Sequence, residues 1–174
     1  MSVKFQDFSM EVKAELNDTT IAWLHTWANE TASQAKRNCT TGEDYSNQLK
    51  GSYRNKVDES KGVATIGSPM EESYWEEFGT GTHADTKKNG GKPGRQGWWI
   101  YTPGSSGGAG YKSRRYDTKE EAEEMAAYIQ RTYNKRAVVT NGRKPNYTLE
   151  KAFVNVRPKA VADLEEQLGR RLGK

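Results

Sequence analysis

Residues 86–115 carry seven basic side chains, Lys87, Lys88, Lys92, Arg95, Lys112, Arg114 and Arg115, and not one acid. The stretch from Gly79 to Arg115 also holds much of the chain's glycine, and its one clear strand signal is Trp98-Trp99-Ile100-Tyr101. So little aliphatic surface gives such a segment no core of its own, and 104–110 reads as a flexible tether. The segment is therefore a long basic loop, +7, protruding from a body that carries −3 of the chain's net +4. The fold has to come from the flanks.

Those flanks have little to bury. Leu, Ile, Val and Phe number 24 among 174 residues, below the share at which folding alone becomes doubtful. The net charge is too small for a disordered chain, and 18 aromatic residues, most of them Trp or Tyr, restore apolar area while keeping one edge wet. The expectation is one thin-cored domain over 1–174 that completes its burial against partners. No apolar run of about 18 residues exists to cross a membrane, and the N-terminal residues carry charges where a signal peptide is apolar. A soluble protein made in a cytosol is expected, so the N-x-S/T triplets at Asn17, Asn29, Asn38 and Asn146 read as chance. The one cysteine, Cys39, excludes a disulfide framework and a cysteine-based zinc site.

Phe8, Met10, Val12, Ala14 and Leu16 alternate with polar residues and predict a strand. Asn17 and Asp18 then read as a cap for a helix to about Arg37, with Ile21, Leu24, Ala28, Ala32 and Ala35 as its stripe and Trp23 and Trp27 beside it. Residues 39–47 read as a loop. Tyr53–Val57 and Val63–Ile66 predict a hairpin about a turn at 59–62, and Ser68–Pro69 opens a short helix to Phe78. Thr118 and Glu121 form a capping box for a helix with Ala122, Met125, Ala126, Ile129 and Tyr133 on one face. A short strand at 137–139 ends at Asn141–Gly142. The tail is helical, with Leu149, Ala152, Phe153 and Val156 on one face, an interruption or kink at Pro158, and Val161, Leu164, Leu168 and Leu172 as a second stripe.

Catalytic patterns are thin. Glu71, Glu72, Glu76 and Glu77 lie close in sequence, but on a short helix they read as a solvated face rather than a carboxylate pair. His83 and Asp85 lack further ligands for zinc, with His25 far off in sequence. The run 104–113 resembles a phosphate loop but has Tyr111 where a glycine must precede the lysine. No enzyme, cofactor or metal is expected. The basic segment, interleaved with Trp98, Trp99, Tyr101, Tyr111 and Tyr116, has the chemistry to neutralise phosphates and stack bases, or equally to meet an acidic protein surface.

The order of short motifs is more specific than any one of them. Leu49-Lys-Gly-Ser-Tyr53 leads into the hairpin ending at Gly67-Ser68; then come Glu77-Phe78-Gly79-Thr80-Gly81, the aromatic strand, and Gly142-Arg-Lys144-Pro145-Asn-Tyr147-Thr-Leu149-Glu-Lys-Ala152. Over roughly residues 8–172, with gaps, this series resembles the minor tail-component family of tailed bacteriophages. The chain departs from the family where Thr148 separates Tyr147 from Leu149, and where 109–136 looks like an insertion containing a helix. The resemblance implies a structural virion protein of the head–tail junction, a neck or tail-completion protein. It would form a six- or twelve-fold homo-oligomeric ring that joins connector or head-closure proteins to tail tube or tail terminator, with non-specific contact to phage DNA possible and no membrane. Its alternative is an accessory protein that binds nucleic acid non-specifically. Subunit or partner contacts are expected at Glu77, Phe78, Gly79, Gly81, Lys87, Lys88, Lys92, Arg95, Trp98, Trp99, Arg114 and Arg115, with Gly142, Lys144, Pro145, Tyr147, Leu149 and Ala152 as a structural motif. The expected fold is α+β: a small, mainly antiparallel sheet packed by the N-terminal and C-terminal helices, with the long glycine-rich basic loop at 79–115.

Overall fold

The computed structural model describes residues 9–40, 46–91, 94–102 and 114–173, with side chains from 17 onward in the first helix and from 47 onward in the second. They form two compact units.

One unit comprises residues 9–38, 52–68 and 149–173. Its first helix, α1 (Ser9–Asn38), is unbroken, so the strand expected from the alternation at 8–16 is absent from 9 onward, and Phe8 lies outside the described residues. Glu11, Lys13, Ala14, Glu15 and Leu16 are all good helix formers, and no Gly or Pro separates them from the stripe that follows. Asn17 and Asp18 consequently sit within the helix and do not cap it. Ala28, Ala32 and Ala35 are buried, as their spacing predicts. The hairpin β1 (Arg54–Asp58) and β2 (Val63–Gly67) pairs antiparallel with Val57 opposite Ala64, and both strands lie against α1.

The unit's last helix, α5 (Thr148–Arg171), runs through Pro158 without ending. Two indoles tie it to α1: Trp23 Nε1 donates to the Ala160 carbonyl at 2.7 Å and Trp27 Nε1 to Asp163 Oδ2 at 2.7 Å. Its buried positions step by four, Ala152, Val156 and Ala160. Phe153 was expected to dock the helix but is 56% exposed, and Val161 and Leu172 also face solvent. One residue past Ala152 is a rotation of about 100°, which carries Phe153 off the buried line.

The other unit comprises residues 39–51 and 69–148. It contains most of α2 (Ser46–Ser52), a helix within what reads as loop, together with α3 (Glu71–Phe78), a 3-10 turn (Gly81–His83), β3 (Trp99–Tyr101), α4 (Lys119–Tyr133) and β4 (Val138–Thr140). Strands β3 and β4 pair antiparallel with Ile100 opposite Val139, and Trp98 bridges Tyr116. The capping box forms: Thr118 Oγ1 accepts the Glu121 N–H at 3.2 Å. Ala122 and Ala126 then bury against Ile100, with Trp98, Tyr116, Met125, Ile129, Ala137 and Val139 packed around them. Tyr133, at the end of the expected stripe, is exposed. The described part of the 109–136 segment thus covers one face of the β3–β4 ribbon. The class is α+β, as expected, with the strands divided between two antiparallel ribbons.

Candidate interaction surface

The two most recognisable motif stretches, 77–81 and 140–148, close on each other in the second unit. Thr80 N–H donates to the Arg143 carbonyl at 2.8 Å and Thr82 N–H to Asn141 O at 2.9 Å, while Thr80 Oγ1 accepts the Arg143 N–H at 3.0 Å. Gly81 and Gly142 make the approach possible. Both have positive φ, +62° and +129°, and a Cβ on either would collide with backbone of the other stretch, Asn141 O or Thr80 O. Gly94 returns the chain onto the Gly81 carbonyl, so this part of the basic segment is folded back rather than protruding.

Glu76 lies beneath this clasp, 1% exposed. Its Oε1 accepts from Thr40 N–H at 2.8 Å, Thr40 Oγ1 at 2.7 Å, Asn146 Nδ2 at 2.7 Å and Thr148 Oγ1 at 3.3 Å, and its Oε2 faces the Arg143 guanidinium at 2.8 Å. Burial pushes the carboxyl's pKa up, but the donors from Thr40 and Asn146 and the charge of Arg143 outweigh it and hold the group below the usual glutamate range. The same burial, with Glu76's negative charge, pushes the nearby Cys39 thiol up, so this cysteine stays protonated at neutral pH and is a poor nucleophile. The solvated face expected for the four glutamates is corrected: Glu76 and Glu77 are both buried. Period and spacing gave no sign of Glu76. The triplet Asn146-Tyr147-Thr148 was a sign in hindsight, since its Asn and Thr both reach this carboxylate.

Next to the clasp, residues 85–91 form a pinned turn. Asp85 Oδ1 accepts the N–H groups of Lys87 and Lys88 at 3.0 and 3.2 Å. Its Oδ2 accepts the Tyr147 hydroxyl at 2.8 Å, and that hydroxyl with the two backbone donors holds the carboxyl below its usual range. Lys88 Nζ rests 4.6 Å from the Tyr147 ring centre. Further on, Arg95 lies over Trp99 and Arg114 over Tyr116, at 5.1 and 5.6 Å. A guanidinium stacked by its face keeps its N–H edges for a carboxylate or phosphate.

The sites expected from sequence therefore separate by depth. Glu77, Gly79, Gly81 and Trp99 are buried, and Phe78 and Trp98 are half-buried, Phe78 against Tyr74 and Trp98 in the ribbon's core. These side chains hold the unit together, and Trp99 is too enclosed to stack a base. Lys87, Lys88, Arg114 and Arg115 are exposed and Arg95 is half-buried. Lys92, Tyr111, Lys112 and the flexible tether at 104–110 lie outside the described residues. Gly142, Pro145 and Tyr147 build the clasp, with Lys144 exposed beside them. Leu149 and Ala152 belong to α5, half-buried and buried. Exposed acids concentrate on α4 and its cap, at Asp117, Glu120, Glu121, Glu123 and Glu124. Among the described residues no three His, Cys, Asp or Glu are grouped to hold a metal ion, and no helix is long and apolar enough to cross a membrane. No protein-family model, curated protein or solved structure matches the chain significantly.

Proposed function

We propose that this chain is a structural subunit of the head–tail junction of a tailed bacteriophage, a neck or tail-completion protein without catalytic function. It assembles into a closed ring in the virion and joins the connector to the tail tube. The observation that carries the reading is the clasp. The motif stretches behind the resemblance are joined by glycine-permitted backbone contacts and buried polar bonds, the construction of a scaffold rather than of a reaction centre. Two exposed patches of opposite sign support it further: the pinned Lys87–Lys88 turn with Arg114 and Arg115, and the acidic first turns of α4. A ring of identical head-to-tail contacts needs two unlike, complementary patches on every copy.

Native mass spectrometry with negative-stain imaging of the purified protein, alone and with connector, tests this. A closed six- or twelve-membered ring in either sample is expected. A chain that stays monomeric in both overturns the reading. Deleting 87–94 should then abolish ring closure or DNA retention, and normal assembly with normal retention would remove the basic turn from the proposal. The exposed cations also favour a second reading, non-specific nucleic-acid binding by the monomer, whose mark is affinity that falls steeply with salt.

A further inference from the structure

The C-terminal helix turns an apolar stripe away from α1. Val154, Val161 and Leu168 recur at seven-residue steps, with Glu150, Arg157, Leu164 and Arg171 along one flank and Lys151, Pro158, Glu165 and Leu172 along the other. Val154 and Val161 are 60% and 44% exposed, Leu172 55%, and Phe153 beside them 56%, whereas the contacts to α1 are made at Ala160 and Asp163. In a chain this poor in large aliphatics, leaving four apolar side chains on one open helical face marks a docking surface.

The charges along the flanks choose the occupant. We propose that α5 pairs with α5 of a second copy, antiparallel, about a two-fold axis at Val161. In a parallel pair every flank residue meets itself, so Glu150, Lys151, Arg157 and Glu165 would each oppose a like charge. The antiparallel pair centred on Val161 removes all four clashes. Glu150 then faces Arg171 of the other copy, twice by symmetry, Arg157 faces Leu164, Lys151 faces Leu172, and Val154 packs on Leu168. Moving the axis half-way towards Val154 sets Arg157 against itself, which fixes the register. Such a contact is isologous and ends at two copies, so it is separate from head-to-tail ring contacts and does not rest on the head–tail reading.

Cysteine crosslinking in the whole chain tests it, since the native Cys39 is buried. Under mild oxidation Val161→Cys should form a disulfide-linked dimer, Val154→Cys should not, and Val154→Cys/Leu168→Cys should. Sedimentation equilibrium should show that Glu150→Arg weakens the dimer about tenfold and that adding Arg171→Glu restores it. These two residues stand about 32 Å apart on one helix, so the rescue has to act between copies. Self-crosslinking of Val154→Cys as fast as Val161→Cys, a charge swap that fails to rescue, or a wild-type chain monomeric at about 100 μM each overturns the pairing.

Discussion

Replacing Glu76 by Gln removes one charge from the centre of the second unit while keeping its shape. The native carboxylate accepts three bonds of 2.7–2.8 Å and a longer one from Thr148, and it balances Arg143 at 2.8 Å. Bonds to a charged acceptor contribute roughly 1.5–3 kcal/mol, against about 0.5–1.5 kcal/mol for neutral pairs. Weakening three of them by about 1 kcal/mol each gives a loss of ~3 kcal/mol, within the range of about 3–5 kcal/mol for breaking a buried ion pair. Urea unfolding followed by tryptophan fluorescence reads this through Trp75, Trp98 and Trp99, with the m-value checked for a change in mechanism. The sign with pH follows from the direction of the shift. A carboxyl lowered on folding contributes stability that is present above its unfolded value, about 4.3, and is lost as pH falls through the lowered native value. Wild type should therefore weaken below about pH 4.3 through this group, and Glu76→Gln should lack that part of the decline. A loss under about 0.5 kcal/mol, or acid limbs of equal slope, refutes the reasoning.

Three further perturbations separate the physical roles of other residues. Gly81→Ala meets Asn141 backbone that cannot move aside and should leave the second unit unfolded by near-UV circular dichroism, whereas Gly90→Ala, at φ +76° with open space around it, should cost only ~1 kcal/mol in urea. Thr118→Ala removes the cap accepted by Glu121 N–H and should cost about 1 kcal/mol, with Thr118→Ser restoring it. Pro158→Ala returns a donor to the Val154 carbonyl inside α5 and should raise the first unit's stability by ~1–3 kcal/mol, read as a higher melting temperature by helical circular dichroism.

Elements with their own local signal were legible in the sequence, and contacts that only the assembled chain makes were not. The α4 cap is written in Thr118 and Glu121 and the hairpin in its turn at 59–62, and both form where predicted. The alternation at 8–16 misled because period-two hydropathy competes with propensity, and in α1 propensity prevailed. On α5 the choice between Ala152 and Phe153 as the buried residue depends on an approach to α1 set by Trp23 and Trp27, which lie over a hundred residues away. The clasp was half legible: its glycines announced tight turns, but nothing local says that Asn141 is what Gly81 meets. Glu76 resembles its exposed neighbours Glu71 and Glu72 until Thr40, Arg143, Asn146 and Thr148 are brought around it.

That division explains how a chain with so few aliphatics holds a defined shape. The second unit's buried cluster is Ile100, Ala122 and Ala126 with partly buried partners, apolar contact that many arrangements would satisfy about equally well. A buried carboxylate contributes little net stability once its desolvation is charged against it, but few arrangements deliver Thr40, Asn146, Thr148 and Arg143 to the same two oxygens. The glycine contacts exclude others, because any shift of 77–81 along 140–148 brings backbone oxygen into collision or leaves it unpaired. Polar satisfaction thus selects the arrangement and apolar burial supplies the driving force. One consequence reaches the surface. The Lys87–Lys88 turn hangs from Asp85 and Tyr147, which belong to this same network, so its cations are held in place before any partner arrives. Each copy then spends less ordering entropy on contact than a free glycine-rich loop would, and in a ring that saving is repeated at every joint.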